Sequence, residues 1–163
     1  MKRVNSLLFA LALMGVMAGA AFAGNSDTIT VNYAVSAINE LNIDGASVTL
    51  TVNSATAGSN PDQASDSTTY DITTNAGADA KKITGAIDTD MGSGLTLKAN
   101  MTAPTGASSA GATTLSSVAA NLVTLIDSIA QANISLAFTL DATLAAGVVS
   151  SASKTCTLTL INT

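Results

Sequence analysis

Few residues in this chain combine the types and spacing that chemistry needs. Ser151-Ala-Ser-Lys154 matches the Ser-x-x-Lys spacing in which an amine activates a serine hydroxyl for acyl transfer. It lies in a Ser-rich turn, without the companion motifs of those enzymes, and reads as a solvated turn. Cys156 is the single cysteine. A thiolate nucleophile needs a base beside it and the sequence has no His, so Cys156 reads as a small apolar residue sharing a strand face with Leu158 and Leu160. Asp88-Thr-Asp90-Met-Gly-Ser-Gly94 sets two carboxylates beside a flexible turn, as a calcium loop does. The loop's fifth position is Gly92 and its twelfth is Ala99, so the closing bidentate Glu is missing, and Asp62 with Asp66 is equally incomplete. Asn100-Met-Thr102 and Asn133-Ile-Ser135 fit the glycosylation sequon but fall within expected strands.

No coherent set of acid, base and nucleophile emerges from these fragments, so the expectation is a protein that is not an enzyme, with no cofactor and no metal ligand set. The missing His removes the commonest general acid/base and a frequent metal ligand together. Charge narrows the partners further. Beyond residue 23 the chain carries Lys81, Lys82, Lys98 and Lys154 against eleven acids and no Arg, a net charge of −7. Scattered lysines in an acidic chain cannot form a basic stripe for phosphate backbones, so nucleic acid is not an expected partner, and anionic lipid is disfavoured for the same reason.

The elements that must position any site begin after a targeting segment. Lys2 and Arg3 precede the apolar run Leu7 to Ala21, which closes with Ala21-Phe22-Ala23 ahead of polar Gly24-Asn25-Ser26-Asp27. This is the pattern of a secretory signal peptide over 1–23, cleaved after Ala23, and the apolar run of about 15 residues is short of the ~20 a membrane span needs. The expected product is exported, with no membrane insertion after cleavage, and its 24–163 part forms a single domain with an N-terminal strand over 27–39.

That part is rich in Ser, Thr and Ala, and most Thr residues stand between aliphatic ones, as suits a pleated, half-buried surface. Period-two alternation recurs. Ile29, Val31, Tyr33, Val35 and Ala37 fall on one face of a strand expected to bury it. Leu41-Asn-Ile43, the turn signal Asp44-Gly45 and the Val48, Leu50, Val52 face have the marks of a hairpin. Further strands are expected over 68–74 with Tyr70 and Ile72 inward, 82–88 with Ile83 and Ile87, 95–101 with Leu95, Leu97, Ala99 and Met101, 134–140, and 156–160. Polar, Gly-containing stretches at 53–67 and 103–114 read as loops, and Asn75-Ala-Gly77 as a turn. Leu115, Val118, Leu122, Leu125 and Ile129 have helical 3, 4, 3, 4 spacing, while Asn121 to Ile126 equally reads as a buried strand, and periodicity leaves both readings open. Short strands joined by Gly- and Ser-rich turns, without βαβ alternation, predict an all-β, immunoglobulin-like antiparallel β-sandwich, with or without one short helix near 115–130.

The long first strand, Ile29-Thr-Val-Asn-Tyr-Ala-Val-Ser-Ala-Ile-Asn-Glu-Leu-Asn-Ile43, follows the cleavage site almost at once. In this it resembles the N-terminal extension and first strand of bacterial fimbrial subunits of the chaperone–usher, colonisation-factor type. The likeness continues in order through Asp44-Gly45, Thr73-Thr-Asn75, Lys81-Lys82-Ile83 and Leu115-Ser-Ser to the last strand, as a pattern of strands and turns. A Tyr and Gly shortly before the last strand, common in such subunits, is replaced here by Ala145-Ala-Gly147-Val.

The resemblance implies an incomplete sandwich whose groove is filled by the N-terminal strand of the next copy, by strand addition. It makes Ile29, Val31, Tyr33 and Val35 the donor anchors at the subunit interface and Thr155 to Ile161 a strand lining the acceptor groove. It implies other copies of the same chain as head-to-tail partners, a periplasmic chaperone and usher as assembly partners, and a fimbrium at the cell surface. The alternatives are that the first strand pairs within its own chain, or that the protein is a monomeric secreted or periplasmic sandwich that binds a ligand through its 53–67 and 103–114 loops.

Overall fold

The computed structural model describes residues 25–75 and 79–163. The expected signal peptide lies outside the described residues, as do Ala76 and Gly77 of the turn expected at 75–77. The chain divides into two compact units, Met1–Ala34 and Val35–Thr163. In the first, residues 26–34 belong to no strand ladder, and Ile29, Val31 and Tyr33 are 87%, 72% and 92% exposed. Val35, at the start of the second unit, is also exposed. The strand expected to bury one face over 29–37 is therefore neither paired nor buried. Alternation specifies an apolar face, but a second surface has to cover it.

The second unit is an antiparallel two-sheet sandwich. Its strands are β1 (Asn39–Ile43), β2 (Ala64–Thr74), β3 (Lys81–Ile87), β4 (Leu95–Met101), β5 (Ser108–Ser109), β6 (Ala112–Thr114), β7 (Ala120–Ile126), β8 (Ile129–Ala142) and β9 (Cys156–Asn162). One sheet runs in the order β1-β2-β8-β4-β6 and the other in the order β5-β7-β3-β9, with every pairing antiparallel. The inner faces meet in one aliphatic cluster. Tyr70 and Ile72 from β2, Ile83 and Ile87 from β3, Leu97, Ala99 and Met101 from β4, and Ile134, Leu136 and Phe138 from β8 are all buried, as their alternation predicts. The Tyr70 hydroxyl donates to the Thr102 carbonyl at 2.6 Å, so the ring is buried without an orphaned polar atom, and burial pushes its pKa up to about 12.

Three differences from the sequence expectations have local physical causes. No helix forms near 115–130: Leu115, Leu122, Val123 and Ile126 are buried, but Val118 and Leu125 of the helical stripe are 74% and 60% exposed. The ladder between β3 and β7 shifts register twice, and Leu125 adopts φ +58, so β-bulges alter which β7 residues face inward and break the period-two signal. The Asp44-Gly45 turn exists, with Gly45 at φ +87, but it does not pair β1 with 48–52. β1 pairs with β2 instead; the Asp44 N–H donates to the Thr69 carbonyl at 2.8 Å and the Thr69 hydroxyl to the Asp44 carboxylate. Val48 and Leu50 pack on the core from outside the ladders. The loops expected at 53–67 and 103–114 are shorter, because β2 starts at Ala64 and the small strands β5 and β6 occupy part of the second.

Among the described residues, Gly94, at the entrance to β4, is the one turn glycine hemmed in by backbone. It adopts φ +77, and a Cβ there would lie 2.4 Å from the Ala146 nitrogen. The adjoining loop is tied to the same residue, since the Thr143 N–H donates to the Gly94 carbonyl at 2.8 Å. Gly94→Ala is expected to cost about 1–3 kcal/mol, measured by urea unfolding; a change within error contradicts this packing.

Three carboxylates set the acid response. Asp66 is held below the usual carboxylate range by the Thr49 and Ser67 N–H groups, Asp90 by the Ser117 N–H, and Asp141 by the Lys98 ammonium and the Gln63 amide. A depressed carboxylate adds stability that is present above the unfolded pKa and is lost as pH falls through the folded value. With no His to titrate, unfolding midpoints are expected to be level between about pH 6 and 8 and to fall below about pH 4. A midpoint that holds to pH 2 contradicts the assignment.

Candidate functional site

The sandwich is open along one seam. β1 ends the first sheet and β9 ends the second; among the described residues β1 pairs only with β2, and β9 only with β3. These two edges flank a groove of about 500 Å³. Leu41 and Ile43 of β1, with Asn39 and Glu40 beside them, line one wall, Cys156, Leu158 and Leu160 of β9 the other, and Phe138 of β8 lies between them. The five apolar wall residues follow strict alternation and pack on the core, yet all are only half-buried, whereas the inward residues of β2, β3 and β8 nearby are closed over. The alternation of β1 and β9 is that of strands with an inner face, and among the described residues that face stays half-exposed.

The β9 edge is unusual chemically as well as geometrically. Edge strands are normally guarded by charge, proline, a bulge or shortness, because their free N–H and C=O groups template pairing with another chain. Cys156-Thr-Leu-Thr-Leu-Ile-Asn162 has no charged residue and no proline, and its register with β3 is unbroken over all seven residues. The side facing the groove thus offers a row of backbone groups and an apolar stripe together.

Among the residues singled out by sequence, Thr155 to Ile161 falls on this edge, with β9 beginning at Cys156. The Cys156 thiol is half-buried and burial pushes its pKa up, the opposite of an activated nucleophile. Lys154 does not approach Ser151 as acyl transfer would need; its ammonium donates to the Thr89 hydroxyl and stands near Asp90. The acidic pairs are spent on local backbone and hydroxyl groups. Asp88 accepts from the Thr89 N–H at 2.9 Å and Asp90 from the Ser117 N–H at 2.6 Å, while Asp62 accepts from the Ser54 hydroxyl at 2.7 Å. The Asn133 of the second sequon adopts φ +57 beside the β2/β8 bulge, where its N–H donates to Asp71 at 2.8 Å.

The sequence reading missed the β1 wall. Leu41 and Ile43 were legible as an alternating pair, but only the sheet order makes them groove residues. Asn75 was likewise expected to be only a turn residue. Its side-chain oxygen accepts from the Ile38 N–H at 2.8 Å and its amide donates to the Ser36 carbonyl at 2.8 Å, while its own N–H donates to the Ile38 carbonyl at 3.2 Å. These bonds carry the β1/β2 ladder past its last pair, Asn39 with Thr74, with a side-chain amide in place of backbone.

Cys156 reports on the groove. A thiol reagent at pH 8 is expected to label the folded chain several-fold more slowly than the urea-unfolded chain; equal rates would mean that the wall residues are not packed as described. No protein-family model matches the chain, and no curated protein sequence matches it at a significant level.

Proposed function

We propose that this chain is an exported structural subunit without enzymatic activity, which polymerises head to tail into a surface fibre. Residues 27–37 of one copy fill the groove of the next. The observation that carries this reading is the unguarded apolar edge of β9 facing β1 across an open seam. The proposed occupant has matching chemistry: Ile29, Val31, Tyr33 and Val35 alternate with Thr30, Asn32, Ala34 and Ser36, and the four apolar side chains are at least 72% exposed in the single chain. A strand laid between β1 and β9 pairs its backbone with both free edges while every second side chain enters the seam. Each such side chain contributes about 1.5–3 kcal/mol on full burial, before the cost of ordering the strand. Because donor and groove are different surfaces, the contact repeats head to tail, and it makes a filament when the rotation between copies does not close a ring.

In this reading the 1–23 segment exports the chain, and a periplasmic chaperone covers the groove until an usher hands the subunit to its neighbour. The resemblance to colonisation-factor subunits supports that route, and the seam supports the strand exchange itself. A ligand-binding role for the loops has weaker support, since 53–67 and 103–114 contain no aromatic residue.

Electron microscopy and size exclusion on the chain beginning at Gly24 test the proposal. Filaments are expected, and deletion of 24–37 removes them while leaving a folded chain that accepts a synthetic 27–37 peptide. Val31→Asp with Tyr33→Asp in that peptide is expected to weaken its binding by about 100-fold or more, because two carboxylates would enter an apolar seam. A monodisperse full chain, together with a deleted chain that ignores the peptide, sinks the proposal.

A further inference from the structure

A donor strand that ends only one residue before β1 has an obvious competitor for the neighbouring groove, which is its own. A hairpin turning between the extension and β1 would lay residues 29–35 against the free edge of β1, since the other edge is taken by β2. Side-chain parity limits how that turn can be made. A two-residue turn at Ser36-Ala37 sets Asn32 opposite Leu41 and Thr30 opposite Ile43, driving polar side chains into the apolar seam. A three-residue turn at 36–38 sets Tyr33 opposite Leu41 and Val31 opposite Ile43, which is the apolar match. Three-residue turns at 35–37 or 37–39 keep the same parity, so self-filling by a tight turn requires Ser36, Ile38 or both to bend.

Those are the residues that Asn75 holds. Its side chain bonds the Ile38 N–H and the Ser36 carbonyl, and its backbone N–H bonds the Ile38 carbonyl. The span is thereby kept in line with β1 as a continuation of the ladder. Ser36-Ala37-Ile38 also lacks the Gly that three-residue hairpins favour at their left-handed position. We infer that Asn75 is a positioning residue that keeps the chain from filling its own groove and so commits the extension to a second copy. The inference rests on the strand-donation reading above and adds to it the control of which groove is filled.

The test compares the chain beginning at Gly24 with its Asn75→Ala form, scoring filament yield, Cys156 labelling in the monomer fraction and uptake of a 27–37 peptide. Asn75→Ala removes both side-chain bonds and keeps the backbone one. The ratio of self-filled to open monomers is expected to rise by about tenfold or more. Filaments decrease, Cys156 in the monomers labels more slowly than in the parent, and the peptide is no longer taken up. Adding Ile38→Gly strengthens all three changes.

Asn75→Asp keeps the acceptor for Ile38 but not the donor for Ser36, and is expected to move the same readouts less far; it serves where Asn75→Ala fails to fold, seen as faster Cys156 labelling. Filaments at the parental yield from a folded Asn75 variant, with monomers labelled at the parental rate, would overturn the role of Asn75 and leave strand donation standing. A parent chain that neither polymerises nor binds the peptide would overturn both.

Discussion

A β-strand buries its backbone polar groups only if both edges are paired or wet, and it buries an apolar face only if something lies against it. At β1 and β9 each condition is met only in part within the described residues, since each strand is paired along one edge and its apolar face is half covered. The two strands end their sheets side by side, each with an inward apolar stripe that packs on the core but stays half-buried, and β9 has none of the charge, proline or irregularity that ordinarily protects an edge. The rest of the fold is arranged as in a complete sandwich. β8, the longest strand, runs between β2 and β4, and its Ile134, Leu136 and Phe138 meet Ile83 and Ile87 of the opposite sheet in one closed cluster. The free edges of β1 and β9 flank one groove, which gives this seam the form of a site.

The same physics accounts for the exposure of residues 26–34. Their alternation is as strict as that of β4, yet Leu97, Ala99 and Met101 are buried while Ile29, Val31 and Tyr33 are not. The difference lies in available partners: β4 has β6 and β8 on its flanks, whereas the extension has no ladder. The proposed strand donation joins an apolar strand without a sheet to a sheet edge without a strand. Each of the two would otherwise be an aggregation hazard.

Much of this was legible in the residues. Alternation located β3, β4, β8 and β9 and their inward faces, because in those strands the period of two is unbroken or nearly so. It failed at β7, where two register shifts and the left-handed Leu125 change which residues face inward and leave an apolar spacing that mimics a helix. It failed again at 48–52, whose apolar face packs on the core without joining a ladder, so that a sound turn signal at Asp44-Gly45 implied the wrong partner. The β9 wall of the groove was visible from the Cys156, Leu158, Leu160 face, but the β1 wall and the Asn75 contacts depend on sheet order and on a bond spanning 37 positions in sequence, which no local pattern encodes.

The most direct measurement is amide hydrogen exchange on the chain lacking 24–37, with and without the 27–37 peptide. If the seam accepts a strand, exchange slows at alternate amides of β9 between Thr157 and Ile161 and along β1, while β4 and β6 at the far edge of the sheet are unchanged. Binding of the peptide with protection elsewhere and none on β9 would contradict the account.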